Sequence, residues 1–138
     1  MSRQQFVEPW LRGSIEGIHP ALSPIAHSLV QVMEDLPNVV NGLTKAQLWM
    51  TPGGAASIGF HLKHLPGSLD RLYTYAGGEK LTDEQLTSLR TEKDVDDRAA
   101  EELVAYAIAG IEKAIQQLRQ TKPDELNDTR LVGRAGLP

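Results

Sequence analysis

Residues 57–72 read S-I-G-F-H-L-K-H-L-P-G-S-L-D-R-L. If the stretch is helical, His61 and His64 stand at i and i+3, one turn apart, and two imidazoles so placed can face one metal ion. At about 100° per residue, Ser68 and Arg71 fall on the same flank as both histidines, beside an apolar stripe centred on Ile58, Leu65 and Leu69. A flank next to the core is where helix bundles build cofactor sites from facing helices. His-x-x-His is a weak signal without further ligands, however. On spacing alone two ordinary histidines, one half-buried and one exposed, are the favoured reading.

Other chemistries have less support. With no cysteine, disulfides and thiolate ligands are excluded, so any metal must be held by His and carboxylates. A Ser68–His64 pair lacks both a third orienting group and an oxyanion element. The Gly53-Gly54 and Gly77-Gly78 pairs are turn signals, and no phosphate-binding glycine pattern occurs. His19 precedes Pro20, and His27 points away from the apolar stripe of its helix, so a ligand role for either needs a fold that brings it to the second helix. Asp70 falls on the far side of its helix from the histidines, and no two carboxylates are spaced for acid–base work. The catalytic residues are therefore left unassigned.

A net charge of −4 argues against a nucleic-acid partner, which requires a basic face. The densest charge run, Glu92-Lys93-Asp94 through Asp96-Asp97-Arg98, reads as the solvated approach to a helix. Nothing approaches the run of about 18 apolar residues that would span a membrane, and the N-terminus has no leader-like apolar segment. A soluble, cytoplasmic protein is expected.

Three long helices must position these residues. Leu22, Ile25, Ala26, Leu29, Met33 and Leu36 mark the first, over residues 20–36, with Pro37 ending it or kinking it before Val40. Ser57 is the N-cap of the second, which Gly77-Gly78 stops. Pro66 lies inside it, lacks an amide hydrogen and requires the helix to bend, bulge or break after His64. Leu103, Val104, Ala107, Ile108, Ile111, Ala114, Ile115 and Leu118 define the third, closed by Pro123. Thr44-Lys45-Ala46-Gln47 and Thr82-Asp83-Glu84-Gln85 have capping-box form and open two short helices. Residues 1–19 are expected to form an arm over the core, anchored by Trp10, and residues 123–138 a loop. No β-sheet is expected beyond a stray strand, and 138 residues suit one domain.

The run Ser57-Ile58-Gly59-Phe60-His61-Leu62-Lys63-His64-Leu65, with Leu69-Asp70-Arg71-Leu72 after it, resembles the second-helix signature of the DinB/YfiT-like superfamily of metal-dependent enzymes. P-W-L-R-G upstream, L-T-K-A-Q-L-W-M-T-P before the helix and Y-A-G-G after it extend the resemblance over nearly the whole chain. It implies an all-α, up-down-down-up four-helix bundle, often dimeric. It also implies a divalent metal, Zn or Ni foremost, held by three histidines, one on the second helix and two in an H-x-x-x-H on the last. Matching position by position puts the ligand on His64, with His61, Ser68 and Arg71 as pocket residues or neighbours of the ligand. Characterised relatives include thiol-dependent transferases and isomerases, so the resemblance implies a transferase or hydrolase acting on a small molecule, with a low-molecular-weight thiol as possible co-substrate. Two departures stand out: Pro66 occupies a usually small, helix-forming position, and Gly136-Leu137-Pro138 stands about where the fourth helix should begin. Further chain could supply that helix, it could be lost together with the metal site, or a partner chain could cover the apolar face. The alternative function is a non-catalytic bundle acting through homodimerisation or apolar ligand binding.

Overall fold

The computed structural model describes residues 7–138; Phe6 and the rest of the first six residues, part of the expected arm, lie outside it. Among the described residues the long helices are α1 (Ser23–Val40), α3 (Ile58–Ala76) and α5 (Ala100–Gln120), with the short helices α2 (Lys45–Leu48) and α4 (Asp83–Thr91) between them. The described residues are all-helical, and the one β feature among them is an isolated bridge between Val132 and Leu137.

Local chemistry sets the helix starts. The His19 imidazole accepts from the Ala21 amide and caps a 3-10 turn, Pro20–Leu22, that leads into α1. Thr44 and Thr82 each make a full capping box with the glutamine three residues on. Ser57 Oγ accepts from the Phe60 amide at 3.0 Å and starts α3.

The core forms where three apolar faces meet. Leu22, Ala26 and Leu29 pack against Ile111, Ala114, Ile115 and Leu118 at the far end of α5, with Leu69 and Tyr73 alongside. Val40, Leu48 and Leu62 pack against Ala100, Leu103, Val104 and Ala107 at its near end. α5 therefore runs antiparallel to α1 and parallel to α3, so the three long helices go up, down and down. Leu48, Leu103 and Ile111 are fully buried.

Several sequence expectations change. α3 continues through Pro66 without a break. Pro66 is buried and packs on α5 at Gly110, where any Cβ would overlap it, so the ring serves as a packing group in a helix–helix contact. α1 takes the longer of its two expected courses, running on past Pro37 to Val40, which is 2% exposed. The buried face of α3 is rotated from the Ile58–Leu65–Leu69 line toward Gly59, Leu62 and Pro66, and Ile58 is exposed, because the Trp49 ring covers Gly59 and Gly110 admits Pro66. Ile25 is exposed as well.

Trp10 is 54% exposed and does not anchor the arm. Pro9 and Ile18 are buried instead, and polar ties do the rest. Arg12 makes a two-pronged pair with Glu34 at 2.5 and 2.9 Å, which holds the Glu34 carboxyl below its usual range. His27, far from pointing to solvent, is buried, and its Nε2 donates to the Gly13 carbonyl at 2.8 Å.

Candidate functional site

Positions 64, 67 and 71 lie on one line along α3, at helical spacings of three and four residues. His64, Gly67 and Arg71 occupy them, and the line receives one side chain from outside the helix, that of Glu92. This residue follows the last turn of α4 and is 2% exposed, although it opens the charge run that reads as solvated in the sequence.

The burial of Glu92 is compensated twice. Arg71 Nη1 donates to its Oε1 at 2.5 Å, and His64 Nδ1 lies 2.8 Å from its Oε2. Arg71 is itself buried, so the two charges meet where water screens them little. Gly67 makes the approach possible, since a Cβ there would strike Glu92 Oε1.

Contacts from two residues, Gln85 and Lys63, deliver Glu92 to this line. The Gln85 amide on α4 donates to Asp70 Oδ2 at 2.7 Å and to Thr74 Oγ1 at 2.8 Å on α3. Lys63 Nζ donates to the carbonyls of Thr91 at 3.0 Å and Asp94 at 2.8 Å, one on each side of Glu92 in sequence. Lys63 also lies 3.4 Å from Asp96 Oδ2 and over the Trp49 ring. The hydrogen bond from Arg98, with help from Lys63, holds the Asp96 carboxyl down at about 2.

His64 is fixed on its other side by Phe60, whose ring stacks on the imidazole with centroids 5.0 Å apart and planes 13° off parallel. Paired with a permanently charged guanidinium, the Glu92 carboxylate is an acceptor at both oxygens, so His64 Nδ1 carries the hydrogen of their bond. In the neutral ring the lone pair is then on Nε2. The side chain is 41% exposed, so the ring is in part open to solvent.

The four residues singled out in the sequence therefore separate. His64 and Arg71 are joined through Glu92. His61 is exposed and meets Phe60 edge-on, while Ser68 Oγ donates to the Leu65 carbonyl at 3.0 Å; neither enters the network. Asp70 pairs with Lys113 at 2.8 Å. Burial raises its carboxyl, but the bonds from Lys113 and Gln85 outweigh that and hold it below the usual range. A cavity of about 300 Å³ opens beyond Gly67, between Arg71, Gln85, Tyr106 and Lys113, but His64 does not line it.

An imidazole with Nδ1 held by a carboxylate and Nε2 free has the arrangement typical of histidine ligands to metals. His64 fits one position of such a centre. Among the described residues no three His, Asp or Glu side chains are grouped to hold a metal ion, so the fit extends to that one position.

Fold and site together define a bundle of long helices with an oriented histidine on the second. The chain belongs to the DinB superfamily, whose family model matches residues 28–136. Searches of curated proteins and of solved structures each gave no match. No helix among the described residues is long and apolar enough to cross a membrane.

Proposed function

We propose that this protein contributes His64 as a ligand to a divalent metal centre in an enzyme of the transferase or hydrolase type acting on a small molecule. The observation that carries the reading is the pair of His64 Nδ1 with buried Glu92, which leaves Nε2 on an oriented, half-exposed ring. Superfamily membership agrees with it. When bound, the metal would supply Lewis acidity to polarise a substrate or to activate a thiol or water. This chain's residues contribute the orientation: Glu92 and Phe60 fix the ring, and Arg71 balances the Glu92 charge. One imidazole does not make a tight site, so the remaining donors come from outside the described residues of one chain.

Metal analysis of the purified protein and of His64→Ala tests the proposal. Divalent metal is expected in the first and is lost in the second. Equal content in both, including none in either, overturns it.

A further inference from the structure

A neutral histidine free in water favours the tautomer with its hydrogen on Nε2, which would occupy the nitrogen that a metal needs. Next to Glu92 the opposite tautomer is required, because the carboxylate accepts and Nδ1 must donate. The carboxylate has little freedom to leave. Arg71 holds its other oxygen at 2.5 Å, Gly67 supplies its space, and Lys63 fastens the backbone at Thr91 and Asp94 on either side.

We infer that Glu92 is the positioning residue of His64: it holds the ring as the Nδ1–H tautomer and presents the Nε2 lone pair outward. Arg71 makes this possible by taking up the other half of a carboxylate that would otherwise be buried without a cationic partner. The significance of the tautomer rests on the reading of His64 as a ligand, although the tautomer itself does not. Glu92 thus acts through His64 and has no direct contact with metal or substrate in this account.

The inference discriminates between glutamate and its isostere. In Glu92→Gln the single carbonyl oxygen goes to Arg71, which can only donate, and the amide NH₂ is left facing His64 Nδ1. Nδ1 must then accept, and the hydrogen moves to Nε2. A side chain of the same shape therefore inverts the tautomer. If Glu92 were only a packing or ion-pairing element of the loop, the tautomer of His64 would not follow this exchange.

The experiment is long-range ¹H–¹⁵N correlation spectroscopy of the histidine rings, recorded at rising pH until the ring ¹⁵N shifts show the neutral form. His64→Gln assigns the signals. Wild type is expected to show His64 as Nδ1–H. Glu92→Gln is expected to show Nε2–H. An Nε2–H wild type, or a variant unchanged from an Nδ1–H wild type, overturns the inference.

Zinc chloride is then titrated into both proteins with the His64 signals as readout. Apparent affinity roughly 10- to 100-fold weaker in Glu92→Gln is expected, and equal affinities overturn the positioning role. If His64 is Nδ1–H in wild type, inverts in Glu92→Gln and yet ignores zinc, Glu92's hold on the ring is established and the ligand reading is overturned instead.

Discussion

Gly67→Ala should destabilise the protein, against the ordinary rule for a helix interior. Replacing glycine by alanine inside a helix stabilises it by about 1 kcal/mol through backbone entropy. Here the added Cβ would overlap Glu92 Oε1 and stand 3.0 Å from Arg71 Nη1. Glu92 is 2% exposed and held at both oxygens. Relief therefore displaces the carboxylate from Arg71, and breaking a buried ion pair costs about 3 to 5 kcal/mol. Subtracting the helix gain leaves a net loss of about 2 to 4 kcal/mol, a large share of the roughly 5 to 15 kcal/mol stability of a typical domain. Urea unfolding followed by circular dichroism measures it as a lower midpoint with unchanged slope. The same substitution in a Glu92→Ala background should be neutral or stabilising, giving a coupling of about 2 kcal/mol or more between the two positions. A Gly67→Ala protein as stable as wild type, or more so, would refute the claim that Glu92 is pinned in this slot.

Further outcomes follow from the same packing. Arg71→Met should cost about 3 to 5 kcal/mol by urea unfolding because it strands Glu92, whereas Arg71→Met combined with Glu92→Leu should recover much of the loss. Gly110→Ala puts a Cβ into Pro66 Cβ and should lower stability by about 1 to 3 kcal/mol in thermal unfolding; Pro66→Gly, which removes that Cβ, should recover part of the loss in the double variant, whereas Pro66→Ala, which keeps it, should not. Asp96 has a folded pKa of about 2 against an ordinary 3.8, so its contribution is complete above 3.8 and disappears as pH falls toward 2. Acid titration of stability should accordingly show wild type and Asp96→Asn differing near neutrality and converging by roughly pH 2, with a small gap because the pair is partly exposed.

The helices were legible in the sequence because their signals are local. The α5 stripe from Leu103 to Leu118 and both capping boxes depend on residues within a few positions of one another, and each formed as expected. Pro66 misled for the same reason. A helix-interior proline reads as a defect until its partner, Gly110, is known, and that partner lies on another helix at no fixed separation.

The site divides in the same way. His64, Gly67 and Arg71 follow helical spacing and could be placed on one line from sequence. Glu92 could not, because it lies among several exposed carboxylates and only the fold distinguishes the one that is buried. Lys63 fills an ordinary solvent-side position of α3 by spacing, and its role in fastening the Thr91–Asp94 backbone depends on where α4 ends. His27 likewise gave no sequence sign of being buried, since its partner is a backbone carbonyl at Gly13.

The central claim is that His64 offers Nε2 to a divalent metal. Anomalous diffraction from crystals of the protein grown with zinc or nickel tests it most directly. The account predicts a peak about 2.0 to 2.1 Å from His64 Nε2, with Glu92 still on Nδ1. A metal on Nδ1, or one held by His61 or His19 with His64 bare, contradicts it.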